Sequence, residues 1–295
     1  MGINPTVQHL VNEWRRVYSG DKPLDVLREI DGEYTAELKE EMLQSDFLYP
    51  EPFYGPFEED MTKDLLLLLM NPGGVKDQAQ YSTAINKNTI SRYTSWRRKD
   101  FLQECGRLDK TKLVIPSKRN ICDQSCILHN LSCDGCRWRR TRYREAKFDV
   151  NLSFDLINTM EYIPYHSKNY NDLRSVQPWL LKAKTTKMAF EAVCEISRNH
   201  LVKHIISLGS AWIEIFRIHD FLPVENITVR SSTGTALGTL LRYQIGDSAL
   251  PIVIHLYKRR VRFPVRRSVV NEMRRMLGET ELGDSDPGDT VHNNL

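Results

Sequence analysis

Asn71, the four cysteines Cys122, Cys126, Cys133 and Cys136, and His255 are residues whose types and spacing suit chemistry. Asn71 ends an apolar run, for residues 64 to 74 read DLLLLLMNPGG and stop abruptly in Asn71, Pro72, Gly73 and Gly74. A short apolar run bounded by turn formers is the pattern of a strand buried on both faces. Its turn falls at the carboxyl end, the edge of an open α/β sheet where ligands bind. Asn71 is then aimed into that crevice, although the same residues also suit a plain strand-to-turn corner. The cysteines are spaced Cys-x3-Cys-x6-Cys-x2-Cys, and the closing Cys-Asp-Gly-Cys is a tight turn able to offer two thiolates to one ion. In a reducing compartment such a cluster holds metal rather than disulfides. Structural zinc is the first expectation, an iron-sulfur cluster the second and unmetallated thiols the third, with His129 able to replace one cysteine. Four protein ligands leave no open position, so the site would pin the Arg-rich segment after it. Cys105 and Cys194 stand apart and read as plain buried residues.

The elements that must position these groups follow from periodicity. Residues 5 to 19 carry Leu10, Val11, Trp14 and Val17 at helical spacing, and residues 23 to 44 carry Leu24, Val26, Leu27 and Ile30; two helices covering the sheet are expected. Residues 49 to 57, YPEPFYGPF, read as a packed connector. The polar stretch 75 to 120 interleaves Tyr81, Tyr93, Trp96, Arg97 and Arg98, which suits base stacking and half-buried helix faces equally. Residues 148 to 157 read as a second strand, leading into a strand-end loop over 158 to 168 with Asn158, Glu161, Tyr162, Tyr165 and His166. An amphipathic helix over 179 to 199 precedes a third strand at 204 to 208, a turn at Gly209 and a helix from Ser210, the parallel α/β unit. A fourth strand at 251 to 254 ends in His255, Leu256, Tyr257, Lys258 and Arg259.

These elements predict an α/β fold, a three-layer α/β/α sandwich around a mainly parallel four-stranded sheet with function along one edge. Residues 1–48 form a helical cover and 49–277 the α/β domain, with a Cys-rich insert at 119–147. Residues 278–295, with Glu279, Glu281, Asp284, Asp286 and Asp289, form a disordered acidic tail.

A chain of 295 residues can bury a full core, and 41% hydrophobic with 27% charged residues is ordinary for a soluble protein. The opening MGINPTVQHL lacks a signal peptide's basic start and apolar core, and the run at 65 to 70 is far too short for a bilayer, so a cytoplasmic monomer without a membrane partner is expected. The net charge of +3 conceals two basic concentrations. Arg137, Arg139, Arg140, Arg142, Arg144 and Lys147 face only Glu145, and Lys258, Arg259, Arg260, Arg262, Arg266, Arg267, Arg274 and Arg275 face only Glu272. Arg outnumbers Lys in both, and its planar fork matches phosphate, so nucleic acid is the expected partner.

In order and placement, the four strand ends resemble those of the uracil-DNA glycosylase superfamily. Asn71, Pro72 and Gly73 match the Asn-Pro-Gly first motif of its mismatch-specific and thymine glycosylase branch. Asn158 in LINTMEYIPYHS stands where the superfamily reads the extruded base, HIISLGSAWIEIF looks like its structural Leu-Gly strand and helix, and His255 with Leu256 and Tyr257 occupies the place of the second motif. The usual His-Pro-Ser is absent there, and the cysteine spacing differs from the superfamily's iron-sulfur branches.

The resemblance implies a monofunctional DNA N-glycosylase that flips out a pyrimidine and hydrolyses its glycosidic bond. Asn71 would position the water and His255 would donate to the base oxygen. Gly73, Gly74, Asn158, Glu161, Tyr162 and His166 would surround the base. Leu256 or Tyr257 would wedge into the duplex, and Lys258, Arg259, Arg260, Arg139 and Arg140 would hold phosphates. The uracil-specific branch bars enlarged pyrimidines with a bulky aromatic after the first motif, and Gly73 and Gly74 lack one. A modified cytosine such as glucosylated hydroxymethylcytosine in phage DNA, removed as anti-phage defence, is the leading expectation; repair of uracil or mismatched thymine is the alternative. A non-catalytic nucleic-acid-binding module is a further alternative. A Rossmann-type nucleotide enzyme fits less well, since no full Gly-x-Gly-x-x-Gly opens a helix.

Overall fold

The computed structural model describes residues 5–19, 29–32, 52–70, 138, 141–164, 181–257, 262–280 and 282. Helix α1 spans Pro5–Ser19, as its periodicity predicts, and buries Val7, Leu10, Val11, Trp14 and Val17 along one stripe. It packs on α2, Lys184–Arg198, whose first turn is capped from far along the chain. The Thr185 backbone N–H donates to Asp31 Oδ1 at 3.0 Å and its hydroxyl to Asp31 Oδ2 at 2.7 Å, satisfying donors that a helix start leaves open.

The strands are β1 Phe53–Tyr54, β2 Leu65–Leu69, β3 Ile157–Glu161, β4 His204–Leu208, β5 Glu225–Arg230, β6 Ala236–Tyr243 and β7 Ile252–Leu256. They form one seven-stranded sheet in the order β1-β3-β2-β4-β7-β6-β5. Strands β3, β2, β4 and β7 are mutually parallel, while β1, β6 and β5 are antiparallel to their neighbours. The fold is therefore α/β with a mixed sheet, wider than the four-stranded one expected from the apolar runs. The β5–β6 hairpin escapes that reading because β5 has alternating half-buried and exposed residues, the pattern of an edge strand rather than of a central one.

Both faces of the sheet are covered. Leu66, Leu68, Met160, Ile205, Ile252 and Ile254 pack with α1, α2 and α3, Ala211–Ile218. Leu65, Leu67, Ile157, Ile206, Leu208 and Val253 pack with residues 146 to 154 and α4, Arg267–Met276. This two-faced burial explains the unbroken Leu run of β2.

Boundaries differ from the sequence reading in three places, the first being the amphipathic helix, which starts at Lys184 rather than at 179. The second strand lies at Ile157–Glu161 rather than at 148 to 157, where a π-turn at Glu145–Asp149 leads into an extended approach. Asn158 and Glu161 therefore lie within a strand rather than in the loop after it. The fourth parallel strand runs to Leu256, so His255 is a strand residue. Gly209 turns the chain from β4 into α3 with φ +101°, a conformation suited to glycine, as expected. Residues 278 to 280 and 282, read as the start of the tail, lie among the described residues. Glu279 accepts at 2.9 Å from His204 Nε2, and Asn271 Oδ1 accepts from the Leu282 N–H.

Candidate functional site

Parallel pairing brings the carboxyl ends of β3, β2, β4 and β7 to one edge. Glu161 is level with Leu69, and His255 is level with Leu208, which follows the Ser207 paired with Leu68. One row thus runs Glu161, Leu69, Leu208, His255. At ordinary strand spacing its ends are about 14 Å apart.

The exit of β2 is held from both sides. Leu69 O accepts the Tyr162 backbone N–H at 3.1 Å and the Trp212 indole N–H at 2.8 Å, and Met70 O accepts the Ile163 N–H at 2.7 Å. Trp212 is fully buried in the first turn of α3 and meets Tyr162 edge to face at 5.4 Å. Sequence reasoning takes Trp212 only as packing; its place directly after the Gly209 turn is the signal for more. Asn71 itself, with Gly73 and Gly74, lies outside the described residues, two positions beyond this doubly held carbonyl.

His255 is 2% exposed and lies on the α4 face of the sheet, where a Cβ added to Gly238 of β6 would meet both its Nε2 and Val269 of α4. Its Nδ1 lies 3.0 Å from Arg262 O, which makes Nδ1 the protonated, donating nitrogen. Burial pulls its pKa down to about 4, so the ring is neutral near pH 7 and Nε2 carries a lone pair. Nε2 has no hydrogen-bond partner among the described residues. In this tautomer His255 cannot donate to a base oxygen; it instead ties the chain after β7 back to the strand. The Arg262 guanidinium lies 5.0 Å over the Tyr257 ring and closes the same corner. Leu256 points to the opposite face and packs against the α1–α2–α3 core.

Asn158 lies at the amino half of β3, three residues before Glu161. Its Nδ2 donates to Asp64 Oδ2 at 3.1 Å, and its side chain fills the space over Gly55, which has φ +137°. Both groups stand before the carboxyl edge, so the structure does not bring Asn158 to the row of strand ends. Tyr162 is fully buried, its hydroxyl donating to Leu181 O at 3.3 Å, and burial pushes its pKa up to about 12. Of the base-binding candidates among the described residues, Glu161 stands at the edge, 9% exposed. His166, Lys258, Arg259, Arg260, Arg139 and Arg140 lie outside the described residues.

The basic clusters are partly internal. Arg274 is buried and donates from Nε to Thr280 O at 2.7 Å and from a terminal nitrogen to Val150 O at 3.1 Å. Arg275 pairs with Glu225 and Glu272. Arg142 pairs with Glu145 at 2.8 Å under cover, with its guanidinium 5.6 Å from the Trp138 ring centre. Burial pushes the Glu145 carboxyl up against the opposing pull of Arg142. Consecutive basic residues on one element point different ways, so a run in sequence does not make a patch.

The cysteines of the proposed metal site lie outside the described residues, and among the described residues no group of His, Cys, Asp or Glu is arranged to hold a metal ion. Cys194 is buried, as expected of it. No helix among the described residues is long and apolar enough to cross a membrane. No protein-family model matches the chain, and no curated protein or solved structure is detectably similar to it.

Proposed function

We propose that this chain is a monofunctional DNA glycosylase working at the carboxyl edge of its parallel strands. The observation that supports this reading is the side-by-side order β3-β2-β4-β7, which lines up on a single edge the carboxyl ends of the four strands on which the resemblance rests. Residues far apart in the chain need such an edge to act on one nucleotide, with Glu161 taking the base-reading place that the resemblance gives to Asn158.

In this proposal a water oriented by Asn71 adds to the anomeric carbon of an extruded pyrimidine nucleotide. The bond between sugar and base breaks, its electron pair leaves with the base, and the water's proton passes to solvent or to the base. Asn71 is too weak a base to ionise water, so positioning supplies its contribution. Glu161 serves at the base-facing end of the row. His255 acts as a positioning residue, in place of the donor role that its residue type suggests. The leading substrate is a pyrimidine enlarged at its fifth carbon, such as glucosylated hydroxymethylcytosine in phage DNA, because Gly73 and Gly74 put no side chain after the motif. A structural zinc on Cys122, Cys126, Cys133 and Cys136 accompanies this reading and takes no part in the reaction.

One observation favours a second reading, a non-catalytic DNA-binding module: His255 has its only N–H committed to Arg262 O. Base release from duplexes bearing uracil, mismatched thymine, hydroxymethylcytosine or glucosylated hydroxymethylcytosine separates the two. A glycosylase leaves abasic sites on one of these and loses the activity in Asn71→Ala; a binding module releases no base from any.

A further inference from the structure

The two basic stretches lie far apart in the chain, yet a single carboxylate joins them. Glu145, in the π-turn, accepts from Arg142 at 2.8 Å and from the Phe263 backbone N–H at 3.2 Å, so it binds the residue after Arg262. The result is that Arg142 and Arg262 approach one another closely enough for their charges to oppose. Each guanidinium lies over an aromatic ring, Arg142 over Trp138 and Arg262 over Tyr257. Arg262 forms no ion pair among the described residues, whereas Arg142 is neutralised by Glu145. Asp149 also lies near Glu145, but no carboxylate among the described residues pairs directly with Arg262. The backbone of Arg262 is anchored to the end of β7 through His255, which sets Arg262 at the carboxyl edge.

We propose that Arg142 and Arg262, set about Glu145, form one phosphodiester site for duplex DNA beside the row of strand ends. A phosphate monoanion pairs with the Arg262 guanidinium, which is half-buried, held at its backbone and by Tyr257, and presents donors in a preset direction. Stacking on Trp138 and Tyr257 keeps both guanidinium planes from turning away. The inference rests on reading this edge as the DNA-facing one, but not on any base being released there.

Equilibrium binding of the full chain to a short duplex of ordinary bases, followed across rising salt, tests it. Arg142→Gln would empty a buried ion pair and risk the fold, so Arg262→Gln is the informative variant. Arg217→Gln, on α3 and exposed, loses the same charge elsewhere. Arg262→Gln is expected to weaken binding several-fold for every duplex sequence and to lower the slope of log affinity on log salt by about 0.9, the loss of one phosphate contact. Arg217→Gln is expected to leave both unchanged, and Arg262→Lys to recover the slope without the full affinity. Equal effects of Arg262→Gln and Arg217→Gln, or no salt-dependent duplex binding by the unsubstituted protein, would overturn the proposal. Failure to release any base with the Arg262 effect intact would count against the glycosylase reading alone.

Discussion

The Trp212 indole N–H donates to the Leu69 carbonyl at 2.8 Å, joining the first turn of α3 to the last residue of β2. That carbonyl also accepts from the Tyr162 N–H, so both of its lone pairs are used where the chain departs toward Asn71. The candidate water-positioning residue thus follows, two positions on, a carbonyl held by two donors.

Trp212→Phe keeps the ring burial and removes one hydrogen bond. A stability loss of about 1 kcal/mol is expected by urea denaturation. In base-release assays the maximal rate should fall while duplex affinity holds. A variant matching the unsubstituted protein in both would show that the indole N–H does not set the Asn71 turn.

The pH dependence of stability should carry a His255 signature. Its folded pKa, about 4, is below the ordinary 6.5, so between these values the unfolded chain binds a proton that the folded chain does not. The contribution is complete above pH 6.5 and is lost as pH falls toward 4, in total roughly 3 kcal/mol. Burial lowers His204 as well, which leaves a residual slope in the same direction. His255→Asn preserves a donor for Arg262 O and removes the titration. Its stability should fall less between pH 7 and pH 4.5 than that of the unsubstituted protein, as read by denaturation at each pH.

The same substitution separates positioning from catalysis. With His255 as a tether, His255→Asn should retain base release within about tenfold, whereas removing a proton-donating group costs about 10²- to 10⁴-fold. Single-turnover rates on the substrate identified by the panel give the answer directly.

Gly55 is required by two independent constraints. Its φ of +137° disfavours a side chain, and an added Cβ would lie 2.8 Å from Asn158 Cγ. Gly55→Ala should destabilise the protein by about 2 kcal/mol or more. Asn158→Ala in the same background should recover part of that loss, which a thermal-melt cycle would measure. Failure of the second substitution to recover anything would leave the backbone conformation as the sole cost.

Metal analysis of the purified protein should return one zinc per chain. Replacing Cys133 or Cys136 by Ser should remove it, and chelation should lower the melting temperature. Iron with visible thiolate-cluster absorbance would instead identify the second candidate.

The sequence by itself determined the parts governed by local chemistry. The spacing of Leu10, Val11, Trp14 and Val17 specified α1 to the residue, because one face of a regular helix must be apolar to cover a core. The unbroken Leu run marked β2 as central, and Gly209 marked the turn from β4 into α3. The tertiary structure alone decided where polar side chains point. Asn158 is legible as a strand-end residue only while β3 is placed too early; the register Leu66 to Asn158 carries it back toward the start of the strand and onto Asp64. His255 looks like a proton donor until Arg262 O, seven residues on, takes its N–H. Arg274 counts as surface charge until its guanidinium proves buried beneath residues 150 and 151. Periodicity reports which face of an element is apolar, but a hydrogen-bond partner depends on what another segment brings into reach, and no local pattern encodes that.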